Sequence, residues 1–141
     1  MQTESMRTHE ETYEAFINGK LGKNEWTHEA HLVTCWMALR TRTAAEALTH
    51  LRDSITAHNC GIGIQNTAAS GYHETMTVYY VTAIHAIDAS SPDELFGELS
   101  VGRSAPLKHW SKDRLMSEEA RANWLEPDLA PLPWSPVRDE Q

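Results

Sequence analysis

A chain of 141 residues, 40% hydrophobic and 23% charged, is close to the usual size of one domain and buries a core without disulfide or metal staples. Its net charge of −8, with Lys and Arg scattered, opposes a nucleic-acid partner, because that binding needs clustered cations to displace counterions. No run approaches the roughly 20 apolar residues of a membrane span, residues 1–7 lack an apolar leader core, and Cys35 and Cys60 stand in no C-x-x-C pattern, so a cytoplasmic protein with free thiols is expected.

The first predicted helix covers residues 3–18, with Tyr13, Phe16 and Ile17 on one side and Gly19 suited to the left-handed position past its end. A polar turn leads to Trp26-Thr27-His28-Glu29-Ala30-His31-Leu32, where Thr27 caps a second helix running to about residue 42. Thr43 and Glu46 have the spacing of a capping box for a third helix, whose positions Ala44, Ala47, Leu48, Leu51 and Ile55 keep a helical period. Residues 59–71 read as a functional loop. Residues 72–88 are rich in strand formers, yet the run lacks Gly and Pro, exceeds strand length and repeats Met76, Tyr80, Ile84 and Ile87 at helical spacing. A fourth helix is therefore predicted.

Ser91-Pro92-Asp93-Glu94 carries a cap, a first-turn proline and a capping-box glutamate, so a short fifth helix is expected to about residue 100. Residues 103–116 hold one or two helical turns, and Ser117 opens a last short helix ended by Pro127. The tail from about residue 127 to 141 carries four of the six prolines and reads as an extended strap, with Trp134 favouring docking against the body. The expected fold is all-α, a compact single-domain helical bundle of four to six helices closed by a proline-rich C-terminal strap.

On the second helix, His28, His31, Leu32, Cys35, Leu39 and Arg42 share one inward stripe. Cys35 reads as a small apolar filler rather than a nucleophile. On the fourth, His73 shares a face with Met76, Thr77, Tyr80 and Ile84. If the first turns of these helices meet, His28, His31 and His73 converge on a cation with a position open for water or substrate, and Glu74 supplies a ligand or base. His73-Glu74-Thr75-Met76-Thr77 starts like the zinc-protease H-E-x-x-H helix, but Thr77 replaces the second histidine, so that motif is absent. Tyr72 offers a phenolic donor, Asn66 an amide for the substrate or for the loop's own turn, and Arg103 and Arg114 guanidiniums for an acidic substrate. His9, His50, His58 and His85 read as packing or surface residues, as does His109 on its own segment alone.

Trp26-Thr27-His28-Glu29-Ala30-His31-Leu32, Asn66-Thr67 and Gly71-Tyr72-His73-Glu74-Thr75 resemble a widespread uncharacterised family of small bacterial helical proteins. His109-Trp110-Ser111-Lys112-Asp113-Arg114-Leu115 and Glu126-Pro127-Asp128-Leu129-Ala130-Pro131-Leu132-Pro133 are similar to its other recurrent blocks, so the likeness spans about residues 26–133. The resemblance implies that His28, His31, His73, Glu74 and His109 belong to one polar site. Where most relatives carry a proline-bearing loop, this chain has Asn66-Thr67-Ala68-Ala69-Ser70, which changes what the loop presents to a substrate.

The leading expectation is a small-molecule metalloenzyme of hydrolytic, lyase or isomerase type, with His28, His31 and His73 as ligands and Glu74, Tyr72 and His109 as catalytic groups. Asn66, Arg103 and Arg114 would bind substrate. The cofactor is a divalent transition metal, zinc by default, with iron, copper or nickel also suited to imidazole ligands. Two alternatives use the same residues: a metal-free His/Glu acid–base enzyme, and a noncatalytic ligand-binding module. No nucleic acid or membrane is expected as partner, and homodimerisation is left open.

Overall fold

A computed structural model describes residues 8–67 and 69–137. Residues 3–7 of the first predicted helix, Ala68 and the last four residues of the strap lie outside them. Thr8 caps α1 (His9–Ile17), its hydroxyl accepting from the Glu11 N–H while the Glu11 carboxylate accepts from the Thr8 N–H. Gly19 follows with φ +73°, the left-handed conformation expected there. Thr27 caps α2 (His28–Arg40) by accepting from the Ala30 N–H, and the Thr43–Glu46 capping box opens α3 (Ala44–Gly61) as its spacing predicts. α4 (Glu74–Ile87) is a helix despite its strand-forming composition, because its apolar residues close against α2 and α3 on a helical period.

Leu32, Cys35 and Ala38 from α2, Leu48 and Leu51 from α3, and Val78, Val81 and Ile84 from α4 form the main core. Each buried Leu or Ile contributes about 2 kcal/mol by leaving water. Phe16, Leu21 and Ala30 make a second cluster under α1, against which Trp26 packs. The two clusters flank the first turn of α2, which fixes where its histidines stand.

The C-terminal half departs from the predicted fifth helix. Residues 91–100 form two 3-10 turns, Pro92–Leu95 and Leu99–Val101, separated at Gly97. Glu94 does not close a box on Ser91; its carboxylate accepts from the Ser90 N–H instead, and the chain turns before a full helix can propagate. A further 3-10 turn, Ala105–Lys108, precedes two single-turn helices, α5 (Lys112–Leu115) and α6 (Glu118–Ala122), capped by Ser111 and Ser117.

These short elements are seated on α4 by polar contacts. The buried Thr75 hydroxyl donates to the carbonyls of Ala120 and Asn123 at 2.7 Å each and accepts from the Leu125 N–H. Trp110, fully buried, donates its indole N–H to the Leu125 carbonyl. The strap docks as expected: Trp134 is half-buried against the main core, and the Val137 N–H donates to Thr82 Oγ1. The described residues thus form a compact bundle of six α-helices with no strand, and none of these helices is long and apolar enough to cross a membrane.

Candidate functional site

The first turns of α2 and α4 lie side by side, and between them and α3 opens a cavity of about 590 Å³ with a mostly apolar lining. That volume is within the roughly 300–1,000 Å³ of small-molecule sites. Five of the candidate site residues read from sequence line it: His28, His31, Tyr72, His73 and Arg103. Arg103 reaches the same cavity from the chain beyond the 3-10 turn Leu99–Val101.

His31 is the most exposed of the three histidines, its ring lining the cavity with Trp26 stacked on it. Its Nδ1–H donates to the Thr27 carbonyl at 2.7 Å, which fixes the tautomer. Nε2, at the far side of the ring from that bond, keeps its lone pair and has no hydrogen-bond partner among the described residues. Burial pushes the pKa down to about 4; the Thr27 bond opposes this, and His28, His58 and Arg103 add to the lowering. The imidazole is therefore neutral at physiological pH.

His28 is half-buried and donates Nε2–H to the Val101 carbonyl at 2.9 Å, with its ring edge-on to Tyr80. Its Nδ1 has no hydrogen-bond partner among the described residues. His73 differs from both. It is the N-cap of α4: Nδ1 accepts from the Met76 N–H at 3.2 Å, and Nε2–H donates to the Leu115 carbonyl at 2.7 Å. Both nitrogens are spent on backbone, and burial lowers its pKa, holding the neutral form that the cap requires.

This arrangement does not supply the three imidazole lone pairs of the expected metal centre. His73 has none left, so the set falls to His28 and His31, short of the three protein ligands usual at catalytic zinc. Among the described residues, no group of three His, Cys, Asp or Glu is placed to hold a metal. Glu74 is likewise committed: its carboxylate accepts from Arg52 Nε at 3.0 Å and Nη2 at 2.7 Å and from the Tyr72 hydroxyl at 2.7 Å. Both oxygens of the carboxylate are thus engaged by protein donors. Tyr72 donates its only hydroxyl proton there, and burial raises its pKa.

Asn66 is absorbed by the loop. Its Oδ1 accepts from Asn59 and from the Tyr72 N–H, and its Nδ2 donates to the Thr56 carbonyl and to Cys60 Sγ. Of the two roles weighed for it, the turn is the one the structure displays. Gly71 completes this knot, with φ +85° and no room for a Cβ, which would lie 2.5 Å from the Gln65 carbonyl oxygen. His109 and Arg114 stand away from the cavity and do not line it. His109 Nδ1–H donates to the Ala130 carbonyl and Arg114 Nε to the Glu126 carbonyl, so both hold the strap. Cys35 lines the cavity, but burial pushes its thiol up to about 12 and keeps it protonated, in line with the filler expected.

Sequence reasoning missed Trp26, Tyr80 and Arg52. Trp26 stacks on His31 and forms part of the cavity wall; its place directly before the Thr27 cap was the available signal. Tyr80, one helical face with His73, lines the cavity and donates its hydroxyl to the Gly102 carbonyl. His58, expected to pack, is fully buried with Nε2–H on the Leu21 carbonyl and its ring against Phe16 and Trp26. Comparison of the chain with family models, with curated proteins and with solved structures gave no match.

Proposed function

We propose that the protein is a small-molecule enzyme working by metal-free proton transfer, with neutral His31 as the proton acceptor. The observation that carries this reading is the unspent Nε2 of His31, in a ring whose orientation is fixed by Thr27 and which opens on a cavity of substrate size. A ring held near 4 is a weak base that is always in its base form at neutral pH. It suits elimination and isomerisation, in which the substrate surrenders a proton as bonds change elsewhere, and hydrolysis, in which the attacking water does. Arg103, the cavity's charged side chain, steadies the negative charge left on the substrate. His28 flanks the acceptor, and Glu74 acts at one remove by holding Tyr72. We place this activity in the cytoplasm, where the exposed thiol of Cys60 stays reduced.

The test is incubation of the protein and its His31→Phe variant with a cell metabolite extract, followed by mass spectrometry. Compounds consumed by the native protein and spared by the variant support the reading; consumption that persists in the variant, or none with either, goes against it. Elemental analysis runs alongside. A stoichiometric transition metal, lost together with activity on His28→Ala or His31→Ala, would instead support the metalloenzyme.

A further inference from the structure

The cavity wall has a hydrogen-bond polarity. Tyr72 has given its hydroxyl proton to Glu74, Tyr80 to the Gly102 carbonyl, Thr34 to the His31 carbonyl and Thr77 to the His73 carbonyl. His28 and His31 have given their ring N–H groups to Val101 and Thr27. A hydroxyl or neutral imidazole that has donated its proton can thereafter only accept. Six polar side chains around one cavity are thus left with lone pairs to offer. No Asp or Glu lines it, so the acceptors are neutral, and the charged lining residue is Arg103, itself exposed. Unspent donors remain on Trp26, Thr27, Asn59, the weakly donating Cys35 thiol and the Arg103 guanidinium, of which Thr27 and Arg103 are exposed and Asn59 has one amide hydrogen already on Asn66.

We infer that this cavity selects a neutral ligand with an apolar body and N–H or O–H donors, such as a primary amide, a lactam or a phenol, and rejects the corresponding carboxylate. Exposed Arg103 draws an anion, but the wall then sets lone pairs on Tyr72, Tyr80 and His31 against it, and each of those contacts is repulsive. A cation finds acceptors but no counter-charge, and Arg103 opposes it. A neutral donor satisfies the wall and leaves its apolar body against Leu32, Ile55 and Met76. This reverses the acidic substrate that Arg103 suggests from sequence, and it rests on the proposal that the cavity is the functional site.

The experiment is a fragment screen by protein-observed NMR, using matched sets on one aromatic body: phenylacetamide, phenylacetate, methyl phenylacetate and phenethylamine, within a chemically diverse library. The expected result is that shifts map to Trp26, His31 and Met76, and that the amide binds at least tenfold more tightly than the acid or the ester. In His31→Gln, whose amide both donates and accepts, that preference should narrow while binding at Met76 persists. Binding at these residues with acid, ester or ammonium equal to or tighter than the amide overturns the polarity inference and leaves the cavity as a site. Absence of any hit at these residues across the library overturns the site as well.

Discussion

The indole of Trp26 and the imidazole of His31 lie stacked, with ring centroids 3.7 Å apart and planes 26° from parallel. Trp26 in turn stacks on Phe16 at 4.9 Å. A continuous aromatic column therefore runs from the α1 cluster to the cavity and holds the plane of the His31 ring, while the Thr27 carbonyl holds its rotation about that plane. The acceptor is positioned by packing as well as by a hydrogen bond, which is what a pre-organised site requires.

The titration of His31 follows from this setting. Its Cε1–H resonance should move with a midpoint near 4, well under the ordinary 6.5. Because the folded-state value is lowered, the unfolded chain takes up a proton first as pH falls, so stability is lost between about 6.5 and about 4 and is restored above that window. His73, lowered by its own burial, contributes with the same sign. Urea unfolding at pH 7 and pH 5 measures the loss, and a His31 midpoint at or above 6.5 would remove the basis for a permanently neutral acceptor.

His73 is the structural histidine of the pair of helices. His73→Ala removes both the cap of α4 and the tie to Leu115 and should cost about 2 kcal/mol, whereas His73→Asn, which keeps a capping oxygen, should recover part of that. His31→Ala should cost about 1 kcal/mol or less. Equal destabilisation by the two alanine variants would contradict the division of roles drawn between them.

Glu74 and Arg52 form an ion pair whose side chains are 12% and 28% exposed, intermediate between a surface pair and a fully buried one. Glu74→Gln should therefore destabilise by about 2 kcal/mol, with the combined Arg52→Met, Glu74→Leu variant regaining much of it, since the pair's desolvation cost then disappears. If Glu74→Gln left stability unchanged but abolished turnover, the carboxylate would be acting on substrate directly.

His109 offers the reverse control. His109→Ala loses one hydrogen bond to the strap and should lower stability by about 1 kcal/mol, with cavity ligands bound as in the native protein. A change in their affinity beyond twofold would mean that strap and cavity communicate.

Gly71→Ala forces a side chain into a left-handed backbone and against the Gln65 carbonyl and Asn66. A cost of ~2 kcal/mol or more is expected, together with amide shifts through residues 64–73. Native-like spectra for this variant would show that the loop knot is softer than its contacts imply.

Features set by neighbours in the chain were legible from sequence. The Thr43–Glu46 box, the Thr27 cap and the Gly19 turn depend on residues within one or two turns, and all are found; of the α2 stripe, Leu32 and Cys35 are buried, while His31 is exposed and Arg42 lies past the helix end. The meeting of α2 and α4 stood from sequence only as a condition, and the structure brings their first turns together. The duties of individual polar groups were not. His73 looks like His31 until Leu115, 42 residues on, supplies its acceptor, and Glu74 looks like a base until Arg52 reaches it from α3. His109 entered the expected site only through the family resemblance; its own segment read as packing or surface, and its ring bonds Ala130, 21 residues away on the strap. Ser91 and Glu94 carried a local helix signal that Gly97 and the Ser90 N–H diverted.

The seating of α4 on the carbonyls of Leu115, Ala120 and Asn123 has a consequence for biosynthesis. A chain made only through Ile87 holds the sequence of α1 to α4, yet the start of α4 lacks the acceptors that anchor it. Those acceptors come with the final quarter of the polypeptide, so a product terminated before them would leave His73, at the pocket's edge, and Thr75 without their carbonyls and should be an early target for proteases.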